Sequence, residues 1–254
     1  RALAAAARTC SRGRVVRTTA DAEAFVAEVG YPVIAKPDIG VGALNTYKLC
    51  READLRQFCA TRPAADYIME EFIDGDILTF DGLTDQDGKP VFYTSHTYMC
   101  GIMETVLADS HVYYYSLREL PRDLEAAGLS ALRAFDLRAR FFHFEFFRRR
   151  SDGKIVALEV NARPPGGYTT DMFNFANDID IYREWANVVV HNRFTAKYTR
   201  PYHCAYIGRK ARYPYARSHE QVVAELGERL VHHSPISGVF SSALGDYGYL
   251  VRAP

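Results

Sequence analysis

Residues 141–161 constrain this chain most. Two β-rich runs, residues 141–148 and 154–161, flank the turn Arg150-Ser151-Asp152-Gly153. Paired as an antiparallel hairpin centred on Asp152, they place Glu145 opposite Glu159 and His143 opposite Asn161. Strand side chains alternate between faces, so these four share one face. The other face reads Phe142, Phe144 and Phe146 against Val156, Leu158 and Val160. A hairpin of this kind must lay its phenylalanine face on a core and present its polar face to something that tolerates two acids.

Two carboxylates facing each other at about 5 Å between Cβ atoms repel, and the pair costs stability unless a cation lies between them. An all-oxygen set of Glu145, Glu159 and Asn161 suits Mg²⁺, which takes one or two protein carboxylates and completes its shell with water and phosphate oxygens. The alternative is a solvated outer face whose charges keep the strand soluble. His143 reads as structural rather than as a ligand.

The 254 residues, 48% hydrophobic and 24% charged, suffice for a sizeable core in one large domain or two small ones. The formal net charge is zero, which gives no footprint for nucleic acid. Cys10, Cys50, Cys59, Cys100 and Cys204 show no CxxC spacing and read as buried thiols of a reducing, cytoplasmic compartment. No apolar run reaches membrane-spanning length, and the first residues are no convincing signal peptide. Starting at Arg1 without methionine, the chain reads as a fragment.

Alanines at positions 2–7 read as a helix end. Thr18 to Asp21 offer capping oxygens, and Ala22, Phe25, Val26 and Val29 recur at helical spacing until Gly30. A strand over residues 31–36, a glycine loop, a strand over 46–49, a helix around Asp54, Leu55 and Phe58, and a strand over 66–72 follow. Helices alternating with strands indicate a mixed α+β class. Residues 77–98 read as a hairpin turning at 85–88. Pro121 opens a helix with Leu124, Gly128, Ala131, Leu132 and Phe135 as its buried stripe. A single helix over residues 176–190 comes after the acidic hairpin, and short strands around a helix near 220–228 complete the chain.

Three further stretches carry chemistry. Lys36 ends a buried strand before a loop in which Gly40 and Gly42 allow backbone amides close to a phosphate; taken alone, this also describes a solvated turn. The connector Met69-Glu70-Glu71-Phe72-Ile73-Asp74-Gly75 offers backbone groups and an acid to a purine ring, or is simply a charged surface segment. Arg163, stiffened by Pro164 and Pro165 and followed by Gly166 and Gly167, suits bidentate bracing of a phosphoryl oxygen or carboxylate; the same segment also reads as a sharp exit turn.

Lys36-Pro37 before the glycine loop, the connector, Glu145 in Phe-His-Phe-Glu-Phe-Phe, and Glu159-Val-Asn161-Ala-Arg163 stand in an order that resembles the ATP-grasp superfamily, from about Val15 to about Val190. The likeness is greatest to its carboxylate–amine ligases and the relatives of biotin carboxylase. The resemblance implies an α+β ATP-grasp fold, two mixed lobes with antiparallel sheets clasping ATP, and a preceding amino-terminal domain that is missing here. The lobes would be residues 1–72 and 73–196, followed by a β-rich segment over 197–254. Lys36 would contact the phosphates and residues 40–43, with Gly40 and Gly42, would close as a lid. Glu70, Glu71, Phe72 and Ile73 would hold adenine, Glu70 by its side chain and Glu71 and Ile73 by backbone groups.

By the same resemblance Glu145, Glu159 and Asn161 would bind one or two Mg²⁺ ions, with Mn²⁺ an acceptable substitute, and Glu159 would bridge. Arg163, Glu159 and Asn161 would serve catalysis. The implied activity activates a small carboxylate as an acyl-phosphate for attack by an amine, releasing ADP and phosphate. The implied partners are small molecules, neither nucleic acid nor membrane, and a homodimer is an open arrangement. The alternatives are a bicarbonate-activating enzyme of biotin carboxylase type and an ATP-binding module without catalysis. Pro164-Pro165-Gly166-Gly167 resembles amino-acid and peptide ligases more than the Gln-Val-Glu continuation of biotin carboxylases. Ile77 stands where many relatives carry an acid, with Asp76 beside it as a candidate for the ribose, and residues 1–35 contain no lysine. Residues 98–104 and 168–173 are candidate substrate walls.

Overall fold

The computed structural model describes residues 10–39, 45–99, 101, 105, 110–238 and 240–254. The alanine-rich start, Gly40, Gly42 and part of the wall at 98–104 lie outside them. The chain divides into two compact units, Cys10–Asp74 and Gly75–Pro254.

In the first unit, β1 (Gly13–Val16), β2 (Val33–Pro37), β3 (Tyr47–Leu49) and β4 (Tyr67–Glu71) form an antiparallel sheet in the order β1-β4-β2-β3. Helices α1 (Thr19–Val29) and α2 (Glu52–Thr61) belong to the same unit. Thr18 caps α1 through a reciprocal capping box with Asp21, and Gly30, at φ 79°, ends it. Val16, Phe25, Val33, Ala35, Phe58, Tyr67 and Met69 form the core at 0–2% exposure. Val33 and Ala35 point inward, so Ile34 and Lys36 take the opposite face of β2.

The second unit is built on a nine-stranded antiparallel sheet. Its strands are β5 (Gly75–Thr84), β6 (Pro90–Thr94), β7 (His96–Tyr98), β8 (Tyr113–Ser116), β9 (Phe141–Arg149), β10 (Ile155–Asn161), β11 (His203–Arg209), β12 (Leu230–Pro235) and β13 (Tyr247–Ala253). They run in the order β10-β9-β5-β7-β8-β11-β13-β12, with β6 paired to β5. The strands from His203 onward therefore continue the sheet that carries the acidic hairpin. Helix α3 (Arg122–Phe135) sets Gly128 against the ring of Phe80, where a Cβ would come within 2.3 Å. Leu124, Gly128, Ala131 and Leu132 are buried as the stripe requires, whereas Phe135 is exposed.

Instead of one helix over 176–190 there are two, α4 (Thr169–Asn177) and α5 (Ile181–His191). Asp178 adopts a left-handed conformation (φ 51°), and Asp180 restarts the chain by accepting the Arg183 N–H at 3.0 Å. The short helices α6 (His219–Leu226) and α7 (Ser241–Leu244) complete the unit. Of the thiols, Cys204 is buried, but Cys10 and Cys59 are only partly covered and Cys50 is exposed, so burial is not their common feature. Among the described residues no helix is long and apolar enough to cross a membrane.

Candidate functional site

In the first unit, the polar face of the sheet gathers Lys36, Glu70 and Lys48. Glu70 on β4 and Lys48 on β3 both stand opposite Ile34 of β2. Lys36 Nζ lies 2.7 Å from Glu70 Oε2, with both side chains partly covered. Lys48, which sequence reasoning missed, sits 3.7 Å above the centre of the Phe72 ring. The register signal was available: a strand residue opposite Ile34 shares the face of Lys36. Glu71 is committed locally. Its carboxylate takes the Arg12 guanidinium at 2.9 and 3.0 Å and the Arg12 N–H at 2.9 Å, and its own N–H donates to the Arg12 carbonyl. Its carboxylate and its N–H are thus both engaged within the unit. Ile73 is buried.

In the second unit, β9 and β10 pair as the site needs, with Glu145 opposite Glu159, Val160 opposite Phe144 and Asn161 opposite His143. Near the turn the register differs from the sequence expectation. Phe146 faces Ala157 and Phe147 faces Val156, and a β-bulge lies between Ala157 and Glu159. The cause is the turn itself. Arg149 and Lys154 close it through a backbone hydrogen bond of 2.9 Å, Gly153 adopts φ 70°, and Asp152 accepts the Arg149 guanidinium at 2.6 and 2.8 Å. A hairpin closed on that pair would present Leu158 to Glu145. The extra residue in β10 brings Glu159 there instead. Leu158, at the bulge, is half-buried rather than a core partner of Phe146, while Phe142, Phe144 and Phe146 are fully buried.

Glu145, 15% exposed, stands directly opposite Glu159 across the strand pair. Burial pushes the Glu145 pKa up, but the bond and charge of His143, with the contact to Glu159, leave it below the usual carboxylate value. His143 is held between two carboxylates. Its Nδ1 donates to Asp81 at 2.6 Å and its Nε2 lies 3.6 Å from Glu145 Oε1. Burial works against its charge, yet the two carboxylates raise its pKa to about 10.

Asp81 is wholly buried, and burial pushes its pKa up. His143, together with a 2.9 Å bond from His96, nevertheless holds it at about 2. Asp81, Thr79 and His96 escaped sequence reasoning, because only the pairing of Asp81 with His143 and of Thr79 with Glu145 across β5 and β9 reveals them.

Arg163 is exposed and its Nη1 donates to the Pro164 carbonyl at 2.9 Å, so here it folds onto its own loop. That loop is anchored: the Thr169 hydroxyl donates to the Gly166 carbonyl at 3.0 Å and lies 2.8 Å from the Tyr114 hydroxyl. Tyr98 stacks on Tyr114 with centroids 4.5 Å apart, and burial, followed by the charges of Tyr114, Glu145 and Asp81, lifts its phenol well above the ordinary value. Asp76 does not stand free for a ribose; it pairs with Arg150 of the hairpin turn.

The oxygen set of Glu145, Glu159 and Asn161 fits a hard cation. The register places two carboxylates face to face, and Asn161 follows Glu159 by two residues on the same side. Among the described residues no three His, Cys, Asp or Glu side chains form a metal-binding group, which is the pattern a zinc centre would need.

The comparisons agree with the fold. The chain belongs to the ATP-grasp family: the model of the ATP-grasp domain matches residues 29–171. A search of curated proteins finds no match. Among solved structures, the biotin carboxylase domain of Hydrogenobacter thermophilus 2-oxoglutarate carboxylase, in complex with MgADP, ADP and bicarbonate, is similar at 14% identity and a TM-score of 0.71, covering 100% of this chain and 60% of that one. The L-amino acid ligase of Bacillus licheniformis is similar at 14% identity and a TM-score of 0.71, over 99% of this chain and 65% of that one. N5-carboxyaminoimidazole synthetase of Staphylococcus aureus, complexed with ADP, matches at 12% identity and a TM-score of 0.68, over 99% and 64%. The chain thus spans 60–65% of the length of these relatives.

Proposed function

We propose that this chain is the ATP-grasp part of an ATP-dependent ligase that activates a small carboxylate as an acyl-phosphate and passes the acyl group to an amine. The observation that carries the reading is the bulged hairpin, which sets Glu145 against Glu159 with Asn161 beside them. The MgADP bound in the carboxylase domain similar to this chain supports the nucleotide and metal part of the reading.

In this reading Glu145, Glu159 and Asn161 would hold Mg²⁺. The cation supplies neutralisation of charge on the transferring phosphoryl group. Lys36 leaves Glu70 for a phosphate oxygen, and Glu70 is then free to accept from the adenine amino group. The carbonyl of Glu71 and the backbone of Ile73 edge the ring, and Phe72, under Lys48, walls it. A carboxylate oxygen of the acid attacks the γ-phosphorus and ADP leaves. The amine nitrogen next attacks the acyl carbon, phosphate leaves, and the amine proton passes to solvent. Arg163, swinging from its own loop, braces the acid or the phosphoryl oxygens. No nucleophilic side chain is required, because phosphoryl transfer depends on position and charge.

The test supplies ATP, Mg²⁺ and panels of acids and amines to the full-length protein and measures ADP and phosphate. ADP release that needs both an acid and an amine supports the ligase. Release with bicarbonate alone assigns the carboxylase reading, and nucleotide binding without turnover assigns the binding module.

A further inference from the structure

We infer that Asp81 and His143 are a positioning couple for Glu145, fixing which of its oxygens faces the cation; the inference rests on the metal reading above. The register of β5 with β9 puts Asp81 opposite His143 and Thr79 opposite Glu145, all on one face. One imidazole spans both acids, with Nδ1 2.6 Å from Asp81 Oδ1 and Nε2 3.6 Å from Glu145 Oε1. The second distance is an ion-pair contact rather than a tight hydrogen bond. It holds Glu145 by Oε1, so the other carboxylate oxygen would be the one to meet a metal.

The ring cannot drift, because Asp81 cannot. Asp81 Oδ2 takes His96 Nδ1 at 2.9 Å and the Thr79 hydroxyl, while Oδ1 takes His143. Thr79 is itself pinned by the His96 backbone N–H at 3.0 Å. The network ties β5, β7 and β9 together beneath the carboxylate pair. Burying a carboxylate and two imidazoles in a sheet costs more than burying apolar side chains of the same size. Sheet stability alone therefore does not account for the network, whereas holding a ligand at a fixed angle does.

His143 is a positioning residue, so its test must read metal binding apart from stability and turnover. His143→Asn keeps an amide N–H where Nδ1 donates to Asp81 and deletes the atom that reaches Glu145. His143→Gln carries its amide as far as Nε2 and can still address Glu145. Mn²⁺ is titrated into the full-length protein at saturating ADP, with bound ion followed by water-proton relaxation enhancement and folding by Trp185 fluorescence.

The expected result is Mn²⁺ affinity about 10- to 100-fold weaker in His143→Asn, as for outer partners of metal ligands, with His143→Gln between it and wild type. Unchanged or tighter binding in folded His143→Asn, while Glu145→Gln weakens binding, overturns the inference and leaves the metal reading standing. If Glu145→Gln and Glu159→Gln leave Mn²⁺ affinity unchanged, the metal reading fails, and the inference with it.

Discussion

Asp81→Asn takes one charge from a fully buried position of the second unit while keeping the shape of the side chain. The pKa of Asp81 falls from 3.8 to about 2 on folding, equivalent to about 2 kcal/mol of differential stabilisation of its charged form. That of His143 rises from 6.5 to about 10, roughly 5 kcal/mol. The two figures differ for physical reasons: Asp81's is net of burying a carboxylate completely, and His143's includes the pull of Glu145. They bracket one interaction, so the variant should lose about 2–5 kcal/mol near pH 6, the range found when one partner of a buried pair is removed. For a unit of this size that lowers Tm by roughly 5–15 °C.

The pH dependence has a definite sign. His143's folded pKa lies above its free value, so its contribution is complete below about pH 6.5 and is lost as the pH rises towards about 10. Asp81's folded pKa lies below its free value, so its contribution is present above about pH 4 and is lost as the pH falls towards about 2. The gap between wild type and variant is therefore widest from about pH 4 to 6.5 and narrows by about pH 10. Trp185, the chain's one tryptophan, lies in the second unit with its ring 5.5 Å from that of Phe141, so urea unfolding read by its fluorescence reports that unit. A gap below about 1 kcal/mol near pH 6, or one that widens with alkali, refutes the reasoning.

Gly82→Ala would place a Cβ 2.1 Å from the Phe92 carbonyl and 2.6 Å from Phe142 Cζ, so it should cost about 3 kcal/mol or more in the same fluorescence assay. Lys36→Met should weaken ADP binding, measured by calorimetry, by about 10- to 100-fold, the worth of a charged hydrogen bond, while Trp185-reported stability stays at the wild-type value. Glu159→Gln should lower ADP-forming turnover by orders of magnitude with an unchanged circular dichroism spectrum, because it removes metal charge from phosphoryl transfer.

The polar face of the hairpin was legible because strand periodicity alone puts Glu145, Glu159, His143 and Asn161 together. The means of reaching that register was not. Centring the hairpin on Asp152 gives the pairing at the site, yet the chain turns on Arg149 and Lys154 and recovers the register through a bulge at Leu158. Bulges depend on how a whole sheet twists, and a pair of strands read alone does not disclose them. Helix α1 was legible from its cap and its glycine, both local signals. The break at Asp178 was missed because apolar spacing runs through residues 176–190 and only a left-handed Asp178 interrupts it. The network joins Asp81 to Thr79 and His96 and, 62 positions along the chain, to His143, a relation periodicity does not carry.

The most direct test of the account is a crystal of the full-length protein grown with ADP and Mn²⁺ and measured for anomalous scattering. The account predicts a Mn²⁺ peak at about 2.2 Å from oxygens of Glu145, Glu159 and Asn161, and within bonding distance of an ADP phosphate. Ordered ADP whose metal is held elsewhere, away from Glu145 and Glu159, would contradict it.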